Sequence, residues 1–231
     1  NWPGLPVGEM TVMPGPIMAG TCAFEIAIRG HGSHAAMPNQ GVDTLVVASH
    51  LVIALQTVVA RNLHPCEPAV VSVTQIHGGD ALNVLPEEVV LRGTIRSLRP
   101  EIEHGIEQAV ERLCAGLGQT FGASIAVSFH ERYPATINYP VETALCQRAA
   151  ALVVGDKNVR AAEPPSMGAE DFAEMLREKA GCYVWLGNGD EIGNASAYPL
   201  HNPRYDFNDE IIPLGIAYWT ALVECALGRS A

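Results

Sequence analysis

Basic charge is scarce in this chain: Lys and Arg together number 14 against 25 Asp and Glu, for a formal net charge of -11. A nucleic-acid backbone or an anionic membrane surface asks for a basic patch, so neither is expected as a partner. No run of 18 apolar residues is present, and no membrane-spanning segment is expected. The first residues, NWPGLPVGEM, lack the basic and apolar regions of a signal peptide, so no secretory leader is expected. They also lack Met and open in mid-loop, unlike a natural start. The six cysteines have no C-x-x-C spacing, which fits reduced, mostly buried thiols in a cytoplasmic protein better than a disulfide framework or a zinc knuckle. Repeats and low-complexity tracts are absent. What is there is globular material: 48% apolar, 17% charged, and at 231 residues enough for one large domain or two small ones.

Residues 1–20 are rich in proline and glycine and show no period, so they read as loop. TCAFEIAIRG then alternates, with Phe24, Ile26 and Ile28 facing one way and Glu25 and Arg29 the other, the pattern of a half-buried strand. A helix follows with Leu45, Ala48, Val52, Leu55 and Val59 as its apolar stripe and Asp43 as N-cap. AVVSVTQI and EEVVLRGTIRSL read as strands, residues 101–121 as a helix, and SIAVSF as a strand. The order strand, helix, strand, strand, helix, strand over residues 20–133 is that of a ferredoxin-like sandwich.

Beyond it, YPATINYP is a linker. Residues 141–154 predict a helix burying Leu145, Ala149 and Leu152, residues 170–179 a shorter one, CYVWLG a strand buried on both faces, and residues 211–227 a last helix. One strand and three helices do not close an α/β layer, so residues 134–231 read as the tail of a larger α/β domain whose first part residues 1–19 leave. The expected fold is therefore two-domain α/β, with a ferredoxin-like α+β lid inserted into a catalytic domain of which only the C-terminal part is present.

Five places offer chemistry. GHGSHAAMPNQG sets His31 and His34 in a glycine-bent loop, either a flexible connection or a site. Asn83 stands between a glycine turn and a strand, where Asn commonly forms the turn. Arg92, Thr94 and Arg96 project from one face of a strand, either solvated or as an anion site, since arginine grips carboxylates bidentately. Glu170 and Asp171 begin a helix, where acids suit the dipole. In YPLHNPRYDFNDE, Pro199 and Pro203 restrict the chain around His201, holding an imidazole in place before any ligand arrives.

Together, NWPGLPVG, GHGSHAAMPNQGVDT, ALNVLPEEVVLRGTIRS, MGAEDFAEML and LHNPRYDFND resemble the signatures of the metal-dependent amidohydrolases and peptidases that include hippurate hydrolase, aminoacylase and carboxypeptidase G. The branch with auxin-conjugate amidohydrolases and N-acetyldiaminopimelate deacetylase is the most similar. The resemblance runs along essentially the whole chain. It implies a homodimer joined through its lids, with two divalent metals (zinc, or manganese, cobalt or nickel) in the catalytic domain. It also implies a metal-activated water, with a glutamate as base, attacking the amide of a small N-acyl amino acid. His201 matches a metal ligand, and His34 the lid histidine that reaches the partner's site to polarise the scissile carbonyl. Asn83 and Arg96 match substrate contacts, Arg96 taking the free carboxylate, and Gly168 matches a pocket-lining glycine. Asp206 and Asp209 are left as second ligand-supporting or helix-capping acids.

The remaining ligands and the general base of that pattern are not in this sequence, so the chain alone is expected to be inactive. Two other readings share these residues. One is a dimerisation or ligand-binding module without chemistry, the other a carboxypeptidase or dipeptidase of the same family.

Overall fold

The computed structural model describes residues 1–191 and 195–228. From the N-terminus come strands β1 (Trp2–Pro3), β2 (Met10–Thr11), β3 (Gly15–Met18), β4 (Gly20–Arg29) and β5 (Ser33–His34), then helix α1 (Thr44–Thr57). Next are β6 (Ala69–His77), β7 (Val84–Leu85), β8 (Glu88–Ser97), helix α2 (Pro100–Phe121), β9 (Ser124–Tyr133) and β10 (Thr136–Asn138). Helix α3 (Pro140–Val154), β11 (Val159–Arg160), α4 (Phe172–Glu178), β12 (Trp185–Gly189) and α5 (Ile212–Ala226) complete the chain. Two compact units result: residues 18–135 with 166–171, and residues 1–17, 136–165 and 172–231.

The first of these units is built on an antiparallel sheet in the order β6-β8-β4-β9. Alternation along β4 sends Cys22, Phe24, Ile26 and Ile28 to the face where Val47, Leu51 and Leu55 of α1 and Ile106 and Val110 of α2 pack, all fully buried or nearly so. Val89, Leu91 and Ile95 of β8 join them, and at Gly93 the Phe24 ring lies where a Cβ would stand, 2.3 Å away. Asp43 caps α1 as the sequence predicts, accepting from the Leu45 and Val46 amides.

The stripe of α1 is rotated from its predicted position. Val47, Ala48, Leu51, Leu55 and Val58 are buried, whereas Leu45 is exposed. Nine of the fourteen positions of that helix are apolar and they fall on every side of it, so the period is weakly written. For the same reason Thr44–Asn62 is long and apolar enough to cross a membrane by length and composition, which the absence of an unbroken apolar run had hidden; its buried positions belong to the core of this unit.

The other unit corrects the sequence reading more strongly. Residues 1–20 are not plain loop, and β12 does not lack partners within the chain. It pairs in parallel with β1 (Trp2 opposite Gly187) and antiparallel with β2 (Trp185 opposite Thr11), while β2 pairs in parallel with β11. Strands two residues long carry no legible period, and their partners lie about 150 residues away or more, so only the fold reveals them. The Trp2 and Trp185 rings stack at 3.9 Å. Below the sheet, α3 and α5 bury Cys146, Ala149, Ala150, Tyr218 and Ala221 with Met10 and Val12. Leu152, predicted inside, is exposed, because α3 turns Thr143, Cys146 and Ala150 inward instead. Cys66 is likewise exposed, whereas Cys22, Cys114 and Cys146 are buried as expected.

Candidate functional site

His34 and Asn83 come together. The short strands β5 and β7 pair antiparallel with His34 opposite Val84, and the Ala35 amide donates to the Asn83 carbonyl at 2.9 Å. Glycines make the ladder possible: a Cβ on Gly32 would stand 3.0 Å from the Leu85 carbonyl oxygen, and one on Gly41 only 2.4 Å from that of His31. The imidazole of His34 is exposed, and its Nδ1 accepts from the Ala36 amide at 3.1 Å. An occupied Nδ1 acceptor keeps the proton of the neutral ring on Nε2, which is then free to donate outward.

Arg96 and Gly168 lie elsewhere. Arg96 sits at the far end of β8 from β7, opposite Thr21, and the Ala19 amide two residues before Thr21 donates to the Gly168 carbonyl at 3.0 Å. The Gly168 amide is itself held by Ser166 Oγ at 3.0 Å. The Arg96 guanidinium is partly buried, donates to the hydroxyls of Thr21 and Thr94 and to the Ile95 carbonyl, and has no carboxylate partner among the described residues. Burial pulls its pKa below the usual arginine value. Its neighbour Arg92, by contrast, is neutralised by Glu25 at 2.7 Å. The structure thus brings His34 to Asn83 and Arg96 toward Gly168, with the two pairs near opposite ends of β8, where Glu88 and Arg96 are eight positions apart, or some 26 Å.

In the other unit, His201 is exposed and has φ 68°, the one non-glycine residue at positive φ among those described. A left-handed histidine costs about 1–3 kcal/mol and persists only where its surroundings fix it. Its neighbours do so locally: the Asn202 amide donates to the Pro199 carbonyl at 3.1 Å, and Arg204 to Asn202 Oδ1 at 2.9 Å. Of the two acids left open in the sequence, neither caps the following turn. Asn208 does, accepting from the Glu210 amide at 3.0 Å, while Asp209 lies within the first turn. Glu170 and Asp171 precede α4, at the dipole end that suits them.

An exposed imidazole on a fixed loop suits a divalent metal as one ligand. It belongs to no group of three: among the described residues, the one group of three potential ligands within 4.8 Å of one another is Cys22, Glu103 and Glu107. That group is occupied by Arg132, whose guanidinium meets Glu103 at 3.1 Å and Glu107 at 2.6 Å, and burial pushes the Cys22 thiol up to about 11. It is an ion-pair cluster holding α2 to β9.

Sequence reasoning missed Asn188. It is fully buried, and its side chain bonds to both ends of the His201 loop. The one signal was its place between two glycines, in LGNGD, just past the apolar run.

Fold and site define the class: an α/β chain in two units, one bearing a histidine–asparagine ladder and an arginine with no carboxylate partner among the described residues, the other a strained, exposed histidine. The chain belongs to the peptidase family M20/M25/M40, whose profile it matches over residues 1–224. It is 32% identical over 228 residues to N-acetylcysteine deacetylase of Bacillus subtilis, covering 98% of this chain and 57% of the relative. It is 34% identical over 219 residues to N-acetyldiaminopimelate deacetylase of Streptococcus suis, covering 93% and 55%. Among solved structures, a dinuclear metal binding peptidase of the M20 family from Bacillus subtilis superposes with TM-score 0.80 at 27% identity, covering 100% of this chain and 56% of that one. The chain therefore spans about half the length of the curated relatives it matches.

Proposed function

We propose that this chain carries the lid and one metal ligand of an amidohydrolase that cleaves N-acyl amino acids. The observation that carries the reading is the pair of half-sites on the lid. An N-acyl amino acid offers a free carboxylate and an amide carbonyl, and the lid offers a carboxylate-free guanidinium at Arg96 and an outward Nε2 donor at His34. Two of the relatives are named as deacetylases of N-acetylated amino acids, which supports the same substrate class.

In this reading Arg96 binds the carboxylate, Gly168 presents backbone to the substrate, and Asn83 orients the acyl group. His34 donates from Nε2 to the carbonyl oxygen as it gains negative charge. Water adds to the carbonyl carbon, the C–N bond breaks, and the amine leaves with a proton. His201 would hold one of two divalent metals, zinc or else manganese, cobalt or nickel, which when bound supply Lewis-acid activation of that water. The lid is of the ferredoxin-like type, a reading supported by its strand order β6-β8-β4-β9 with both helices on one face. A homodimer through the lids is supported by two features: β6 is a nine-residue edge strand, and the two half-sites are too far apart on one lid to serve one small substrate.

The test is a fusion of this chain behind the upstream half of Bacillus subtilis N-acetylcysteine deacetylase. The fusion is expected to release acetate or benzoate from N-acyl amino acids when given zinc, manganese or cobalt. Losing a charge-assisted pair costs about 1.5–3 kcal/mol, so Arg96→Met should raise KM roughly 10- to 100-fold. His34→Ala should lower kcat about 10²- to 10³-fold. A folded, metal-loaded fusion that ignores N-acyl amino acids but trims unblocked peptides would replace this reading with a peptidase one. The 231-residue chain alone, with the same metals, is expected to show no turnover above buffer.

A further inference from the structure

Asn188 is wholly buried at the end of β12 and uses its side chain entirely on the segment that carries His201. Its Nδ2 donates to the Ser196 carbonyl at 2.8 Å and more weakly to the Asp206 carbonyl at 3.5 Å. Its Oδ1 accepts from the Asn208 amide at 3.2 Å. Asn208 returns the contact, its Nδ2 donating to the Asn188 carbonyl at 3.2 Å while its Oδ1 caps the Glu210 amide. Residues 196 and 206–208, the two feet of the loop, are therefore tied to one interior point, with His201 between them.

The backbone around Asn188 is built for this. A Cβ at Gly187 would lie 1.9 Å from the Pro6 carbonyl oxygen, and one at Gly189, which has φ +130°, would lie 2.7 Å from Ser196 Oγ. Flanking glycines let the strand end press between residues 5–6 and the Ser196 turn, so the amide between them meets both feet. An aspartate at 188 would turn an oxygen toward two carbonyl oxygens, and a hydrophobic residue would remove the side-chain bonds to all three backbone groups.

We propose that Asn188 and Asn208 form a reciprocal clasp that fixes the His201 loop and holds His201 in its left-handed pose. They are positioning residues, since neither side chain contacts His201. The consequence for metal binding rests on the reading of His201 as a ligand; the clasp itself does not.

The experiment uses the full 231-residue chain without metal. Asn208→Asp keeps the oxygen that caps Glu210 but replaces the donor to Asn188 with an oxygen facing its carbonyl, which breaks the clasp while leaving the cap. Asn188→Asp removes the other half. Should Asn188→Asp fail to fold, Asn208→Asp, whose change is at a half-buried position, decides the matter. Asn158→Asp, which loses an equivalent side-chain bond to the Val154 carbonyl at 2.7 Å far along the chain from the loop, is the control.

Amide hydrogen exchange over residues 196–208 and the three-bond HN–Hα coupling of His201 are read beside the melting temperature. In Asn208→Asp, exchange in that segment should rise at least tenfold and the coupling should move toward a conformational average, with lid amides unchanged. The control should change neither. Segment exchange and coupling equal to wild type in a folded Asn208→Asp variant would overturn the clasp, as would an equal change in the control. Zinc loading of the fusion described under the proposed function separates the two ideas, because there the other ligands are supplied. If His201→Ala leaves the zinc content and affinity of that fusion unchanged while the clasp variants behave as described, the ligand reading fails and the clasp stands.

Discussion

Two buried thiols of the antiparallel-sheet unit should make stability depend on pH in the alkaline range. Burial pushes both Cys22 and Cys114 up to about 11 from the thiol's ordinary 9.0. The folded state therefore favours the protonated thiol, and the sign follows from linkage: the contribution is complete below pH 9 and is lost as pH rises toward 11. Thermal melts of the chain from pH 8 to 11 should fall over that window, and Cys114→Ala should show a shallower fall than wild type. An identical slope in the variant would mean that Cys114 does not carry the effect. The exposed thiol of Cys66 should behave oppositely, reacting with a disulfide reagent in the native state well before Cys22 and Cys114 do.

At the scale of elements, β8 depends on a residue with no side chain. A Cβ at Gly93 would lie 2.1 Å from the Ser72 carbonyl oxygen of β6 and 2.3 Å from the Phe24 ring, so neither strand nor ring can stay in place. Gly93→Ala should cost about 1–3 kcal/mol in urea unfolding, the usual penalty of overpacking, with the loss confined to the lid. Asp43→Ala, which removes the cap of α1, should cost about 1 kcal/mol. These lid elements were legible because each carries its own period and punctuation: alternation in β4, the cap before α1, the spacing of α2. The opposite holds for β1, β2 and β11, two residues each, which exist only through pairing with distant segments. The same divide runs through the site. His34, Asn83, Arg96 and His201 stand in recognisable motifs. That His34 meets Asn83 at one end of β8 while Arg96 lies at the other was not written in any motif, because it depends on which strand each segment pairs with. Asn188 was illegible for a further reason: a buried amide looks like any other asparagine until its partners are in view.

At the scale of the whole chain, one surface lacks the cover its composition calls for. Along α5, Ile212, Ile216, Trp219, Val223 and Leu227 are all exposed at helical spacing, and on α3 Val141 and Leu152 are too, at 77% and 60%. A stripe of that kind is unusual on a solvated helix and marks a face meant for contact. The consequence is measurable in the chain by itself. It should associate with rising concentration through this face and bind an apolar dye. Ile216→Glu with Val223→Glu should suppress the dye binding while leaving the melting temperature nearly unchanged, since exposed positions contribute within about 0.5 kcal/mol. Light scattering of that double variant then distinguishes the two proposed contacts. A dimer that survives the substitutions must be joined elsewhere, as the lid edge β6 proposes, whereas a monomer at tens of micromolar would assign the association of the chain to α5 and withdraw the lid dimer.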